Sequence, residues 1–189
     1  MNIFVLDKDP KKAAEYHCNK HVVKMILEAA QMLCAAHWYS LLKSHSKSLS
    51  DFKGTRAAKE WAVQNSLPEK IPPYTFTHTR HPCTVWTSHN LANYKWHLSL
   101  MRHLLNEYTN RYQKNHKCEI VWQWLQENIP ESIEMSEQMT EHPQAMPEEC
   151  KVPGDAIQAY RNYYTTHKRR FASWEPRSKT PDWFKESNA

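Results

Sequence analysis

The chain has 189 residues, 40% hydrophobic and 24% charged, with only two glycines, Gly54 and Gly154. That length suits one domain with a substantial core, and two isolated glycines exclude both a glycine-rich phosphate loop and a dinucleotide-binding fingerprint. The net charge of +5 is unevenly spread: Glu119 to Cys150 holds eight acids and no Lys or Arg, leaving 25 bases against 12 acids elsewhere. A basic body suits a polyanionic partner, because every cation that neutralises a phosphate releases a counterion.

No apolar run approaches the ~20 residues needed to span a bilayer, so no contact with membrane is expected. The apolar start has no basic region before it and no small-residue cleavage site after it, which reads as a cytoplasmic protein. Five cysteines (Cys18, Cys34, Cys83, Cys118, Cys150) at wide spacings without CxxC read as reduced, buried thiols. Twelve histidines, eight tryptophans and nine tyrosines supply groups that stack on bases, bond phosphates or fill a core.

Ile3 to Leu6 predicts a short strand or a buried extended arm. Asp9 and Pro10 form a helix start, with Asp as cap and Pro at the first position, and the helix is expected to run to about Leu42. Leu41 to Gly54 reads as a loop, Thr55 to Gln64 as a short helix, and Tyr74 to His89, with Pro82 inside, as an extended or irregular segment. From Ser88 to Tyr112 the apolar residues Leu91, Tyr94, Leu98, Met101, Leu105, Tyr108 and Tyr112 step by three and four, which predicts a helix with one buried face. Glu119 to Asn128 predicts another, with Ile120, Val121, Trp124 and Leu125 inward. An acidic loop at about 130–153, a helix from Asp155 to about His167 and a basic-aromatic tail complete the chain. The expected fold is mainly α, a single-domain helical bundle.

The first long helix carries the sharpest signal. Cys18, Val22, Met25, Ala29, Leu33 and Ala36 share one side and Tyr16, Val23, Leu27, Ala30 and Cys34 the other, while His17, Lys20, His21, Lys24, Glu28 and Gln31 fill the arc between. Such a stripe is either a wetted edge or the wall of an active site, where neighbouring titratable groups bring pKa values toward neutrality. Asp7, Lys8 and Asp9 at the helix entrance complete the second reading. His17 and His21 also have zincin-like spacing, with His78, His81 or Cys83 as a third ligand. The Glu expected beside the first His is replaced by Cys18, and two lysines repel a cation, so no metal is expected.

A second cluster comprises His78, His81, Trp86, Asn90, Asn93, Tyr94 and His97. Trp86, Asn90, Asn93 and His97 share a face if a helix begins at Trp86, and Asn edges with Trp faces suit an extruded base. Ordinary packing is the rival account, above all for Tyr94 on the apolar face. In the tail, Arg161, Lys168, Arg169, Arg170, Trp174 and Arg177 alternate bases with aromatics, a phosphate-tracking pattern or a set of cations complementing a helix C-terminus.

The opening NIFVLDKDPKKAAEYHCNKHVVKMILEAAQML, the middle HPCTVWTSHNLANYKWHL with EYTNRY, and the closing AYRNYY, Trp174 and PDWF resemble a family of small proteins of tailed phages and bacteria. Through it the chain is similar to anti-phage DNA glycosylases that remove glucosylated hydroxymethylcytosine. That resemblance implies hydrolysis of an N-glycosidic bond in modified phage DNA; no cofactor is expected. It implies Asp7 or Glu28 as carboxylate, His17 and His21 at the leaving base or a phosphate, and Lys20 or Lys24 as phosphate ligand or amine nucleophile. His78, His81, Trp86, Asn90, Asn93 and Tyr94 would form the base pocket. Asn19 stands where relatives more often have Asp, so no acid role is implied there. Two other readings remain: a non-catalytic DNA-binding or host-takeover protein, and an enzyme of free nucleotides or a base-modifying transferase.

Overall fold

Asp9 caps α1 (Pro10–Tyr16) by accepting from the Lys11 amide at 2.9 Å, with Pro10 in the first turn. The computed structural model describes residues 1–186, and in it the helix expected to reach Leu42 stops at Tyr16. His17 (ψ 131°) and Cys18 (ψ 160°) are extended, and α2 (Asn19–Ser44) starts afresh; it is about 39 Å long. Distant groups hold this break. The Arg111 guanidinium donates to the carbonyls of His17 at 2.7 Å and Glu15 at 2.9 Å, and the Asn19 amide donates to Ser173 at 2.8 Å.

Residues Ile3–Leu6 are buried and pair with no strand among the described residues, so of the two expectations the arm is realised. Among the described residues the one β-bridge joins Asn90 and Glu134. The arm is pinned by the Asn2 amide donating to Glu28 Oε2 at 2.9 Å, by Arg161 donating to the Leu6 carbonyl at 2.9 Å, and by Phe4 stacking on His21 at 4.5 Å.

Helix α3 (Thr55–Gln64) places Ala58 and Ala62 against Trp38 and Leu41 near the end of α2, a small second core beside the main one. The segment expected to be irregular around Pro82 holds a helix, α4 (Pro82–His89). Proline breaks a helix interior but suits its first turn, where the missing N–H has no helical partner; His81 Nδ1 caps the end by accepting from the Cys83 amide at 3.2 Å. Asn90 (φ −145°, ψ 169°) interrupts the path and caps α5 (Leu91–Tyr112), accepting from the Asn93 amide at 2.9 Å.

Helix α5 buries Tyr94, Leu98, Met101 and Leu105, the face read from the spacing, and ends at Gln113 in the left-handed region (φ 53°). Helix α6 (Glu119–Glu127) buries Val121 and Leu125 and half-buries Trp124, but Ile120, expected inward, is 72% exposed. A nine-residue helix has a narrow buried stripe, and Val121 with Leu125 fills it at i, i+4. The acidic loop that follows is tied to the start of α5: Leu91 and Ala92 amides donate to Glu134 and Ser136 carbonyls at 2.8 and 3.2 Å. Helix α7 (Ala156–Tyr163), capped by Asp155, runs into a π-helical turn at Tyr164–Lys168, and α8 (Asp182–Glu186) closes the described chain.

Helix α2 packs against α4, α5 and α6, and α1 against α5, around Ile26, Leu33, Tyr94, Leu100, Met101 and Leu104. All five thiols are free and buried. Among the described residues no helix is long and apolar enough to cross a membrane.

Candidate functional site

The break after Tyr16 disassembles the stripe expected on one continuous helix. His17 is fully buried: Nδ1 lies 2.7 Å from the Ala13 carbonyl, Nε2 has no partner among the described residues, and burial pushes its pKa down to about 4. His21 lies between Phe4 and Phe171, with Nδ1 2.5 Å from the Tyr164 hydroxyl. Burial, aided by His17, Lys168 and Lys24, pushes it down to about 3. Both rings are neutral at physiological pH, so the expected tuning toward neutrality is replaced by a strong shift away from it. Lys20 is exposed above the Phe171 ring at 5.3 Å.

Lower on α2 the groups converge. The Glu28 side chain is 12% exposed and accepts the Asn2 amide on Oε2, while Oε1 lies 3.3 Å from Lys24 Nζ, itself 68% exposed. Packing of α4 on α2 sets the helix-capping His81 in the field of the same carboxylate. Burial first, then the Met1 ammonium and His78, lower the His81 pKa, and Glu28 pulls it the other way. Behind Glu28, Asn2 Oδ1 accepts from the Tyr160 hydroxyl at 2.6 Å and the Cys83 thiol at 3.5 Å. Burial raises Cys83 to about 11, so it stays a thiol. The Lys24–Glu28 pair on one helix thus lies within electrostatic reach of His81 at the cap of another, a relationship that neither sequence cluster announces.

Asp7 is engaged elsewhere. Its Oδ1 accepts the Asp9 amide at 3.0 Å and its Oδ2 pairs with Arg161 at 3.7 Å. Arg161 in turn lies against the Tyr16 and Trp183 rings, 5.8 and 5.5 Å away. This pair locks the arm to α7.

The expected base-reading residues are largely spent on the fold. Asn90 Nδ2 donates to the Gln138 carbonyl at 3.1 Å; Asn93 is fully buried, donating to Trp86 and Thr140 and accepting the Thr140 amide at 3.0 Å. Tyr94 donates its hydroxyl proton to the Leu125 carbonyl at 3.2 Å and lies 2.8 Å from His37 Nε2. The break at Asn90 also removes the single face proposed for Trp86, Asn90, Asn93 and His97. His97 is buried against Thr87, pushed down to about 3 by burial. His78 is exposed in a left-handed conformation (φ 49°) beside Thr77.

Trp86 does line a hollow. With Trp96, His142, Val5 and Ile157 it bounds an apolar cavity of about 300 Å³, with Lys8 also in its wall. Trp96 and His142 were not among the sequence candidates; His142 lies in the acidic loop, whose lack of periodicity gives no cue to its burial. The Tyr160 ring is 5.7 Å from His142 while its hydroxyl reaches Asn2, so Tyr160 stands between this cavity and the Glu28 cluster. Of the five cavities delineated, none is lined by His17, Lys20, His21, Lys24 or Glu28.

The tail is more tightly bound than its composition suggests. Trp174, expected as a stacking platform, is 1% exposed and donates its indole proton to the Tyr16 carbonyl at 3.1 Å. Arg169 covers the Phe184 ring at 4.7 Å, and Arg177 covers Tyr112 at 4.7 Å while donating to the Arg111 carbonyl. Lys168 lies 4.3 Å from the Tyr163 centroid and 6.0 Å from that of Phe171, the ring that Lys20 approaches; Arg170 is exposed. The chain matches no protein-family model, no curated protein and no solved structure.

Proposed function

We propose that the protein is a DNA N-glycosylase-type hydrolase of a modified pyrimidine, with Glu28 as its working carboxylate. The observation that carries this reading is the Lys24–Glu28 pair at 3.3 Å, a largely buried carboxylate beside an exposed amine, whose electrostatic field reaches the His81 imidazole. Asp7, the alternative carboxylate, is held by the Asp9 amide and Arg161; Glu28 is held by the Asn2 amide and faces the Met1 ammonium at 3.7 Å, but it also has the exposed Lys24 amine beside it, and this is why it is preferred.

In the proposed reaction, Glu28 orders a water molecule and faces the positive charge that develops on the sugar as the bond to the base lengthens. The water oxygen forms the new bond to C1′, its proton passes to Glu28, and the base departs with the electrons of the broken bond. Lys24 holds a flanking phosphate, and His81 faces the leaving base. Lys20, Lys168 and Arg170 extend the cationic surface available to the backbone, consistent with modified phage DNA as the partner.

A second reading, a non-catalytic DNA-binding protein, is favoured by two observations: His21 and Asn93, expected to do chemistry, are bonded internally, and none of the five cavities adjoins Glu28. Incubation with DNA carrying cytosine, hydroxymethylcytosine or its glucosylated form, followed by an abasic-site assay, separates the two. Abasic sites in modified DNA that disappear with Glu28→Gln support the hydrolase. Binding without abasic sites in any of the three supports the binder.

A further inference from the structure

The end of the acidic loop and the turn after α7 bring together three residues of different chemistry. Glu149 and Cys150 belong to a short 3-10 turn, and His167 to the π-helical turn Tyr164–Lys168. Their ligand atoms, a carboxylate oxygen, Sγ and an imidazole nitrogen, all lie within 4.8 Å of one another. His167 Nε2 is 3.0 Å from Glu149 Oε1, and Cys150 Sγ is 3.4 Å from Thr166 Oγ1.

The backbone is organised for this meeting. A π turn accommodates an extra residue in the helical path and recurs at functional positions; here it presents Thr166 and His167 to the 3-10 turn. Asn162, one helical turn earlier, donates to the Cys150 carbonyl at 3.4 Å and joins the two turns independently of the three side chains. Lys151, the adjacent cation, is paired with Glu148.

We propose that Glu149, Cys150 and His167 form a binding site for a zinc-class divalent cation, which clasps the end of the acidic loop to the turn after α7. A thiolate, an imidazole and one carboxylate form a borderline-soft donor set that suits Zn²⁺ or Co²⁺, whereas Mg²⁺ and Ca²⁺ call for oxygen ligands throughout. Zn–S and Zn–N bonds of about 2.3 and 2.0 Å put tetrahedral donors roughly 3.5 Å apart. The donors reach that spacing by rotation of Glu149 and His167, whose 3.0 Å contact opens slightly and whose side chains are 63% and 39% exposed, around a fixed, buried Cys150. Binding displaces the Cys150 thiol proton to solvent and leaves the fourth position for water. This site is separate from the histidine pair His17 and His21, whose rings are committed inside the core.

The test uses the full chain, freed of metal with a chelator and titrated with Co²⁺ alone. The expected result is one equivalent bound, with a sulfur-to-cobalt charge-transfer band that Zn²⁺ abolishes. Cys150→Ser removes the band, and His167→Gln and Glu149→Gln each weaken binding at least ~10-fold. Zn²⁺ raises the melting temperature of the wild type and of Glu28→Gln but not of His167→Gln. The absence of a charge-transfer band, or a band that survives in Cys150→Ser, overturns the site and leaves an ordinary His167–Glu149 ion pair. If Cys150→Ser fails to fold, the two variants at exposed positions carry the same test.

Discussion

Arg111 of α5 donates to the main-chain carbonyl of His17 at 2.7 Å while its side chain is ion-paired to Glu107 at 2.7 Å, so one buried guanidinium both ends α1 and anchors α5. It also reaches the Glu15 carbonyl and Asn19 Oδ1. Arg111→Ala strands two carbonyls and a partly buried carboxylate, and the expected loss is about 3 kcal/mol. Urea unfolding checks this; a loss below ~1 kcal/mol would mean that Asn19 and Ser173 hold the break unaided.

Asn93 supplies a test of structure against recognition. Its amide bonds Trp86 on one side and Thr140 on the other, with no exposed surface. Asn93→Ala is expected to cost about 2 kcal/mol and to open the acidic loop to proteolysis. DNA affinity should stay unchanged at temperatures where the variant is folded. A selective fall in affinity with stability intact would restore the base-reading role.

Much of this helical architecture is legible in the chain. The three-and-four spacing from Leu91 to Tyr112 reflects one wide buried face, and Asp9, Pro10 and Asp155 are local capping signals whose partners lie within three residues. The break at His17 and Cys18 is different in kind. Neither residue disfavours a helix enough to stop one, and the groups that stop it, Arg111 and Ser173, are remote in sequence. Pro82 reads equally as a breaker or a first-turn residue, and the deciding cap, His81, lies outside the usual capping residue types.

The site shows the same division. Lys24 and Glu28 are visible as an i, i+4 pair, whereas His81 comes into the field of Glu28 only through the packing of α4 on α2. His17, His21 and Trp174 look like chemistry by residue type but act as core, because tertiary packing closes over them.

The buried histidines make acid sensitivity a quantitative expectation. His21, His37 and His97 are pushed down to about 3, and His17 and His142 to about 4, with burial the leading cause in each. An unfolded histidine titrates near 6.5, so below that pH the unfolded chain binds protons that the native rings refuse. Their contribution is complete above about pH 6.5 and is lost as the pH falls toward 4 for His17 and His142 and toward 3 for the other three, by up to ~2 kcal/mol per ring at pH 5. Urea midpoints should drop steeply between about pH 7 and pH 5. A flat profile would contradict the burial of these rings.

Lys20, Lys168 and Arg170 are the expected phosphate contacts. Replacing Lys20 or Arg170 with Ala should weaken DNA binding equally across sequences and lower the slope of log K against log salt by about one for each cation lost. Neither change should lower stability by more than ~0.5 kcal/mol. An unchanged slope in both variants would place the DNA on another face.

The most direct measurement is the rate of abasic-site formation in glucosylated hydroxymethylcytosine DNA by wild type, Glu28→Gln and Asp7→Asn. Glutamine at position 28 can still accept the Asn2 amide while the negative charge, which also faces the Met1 ammonium at 3.7 Å, is removed, so folding of the variant is checked alongside its rate. The account predicts a fall of at least ~100-fold for Glu28→Gln and a smaller effect for Asp7→Asn. Wild-type rates in a folded, DNA-binding Glu28→Gln protein would contradict it.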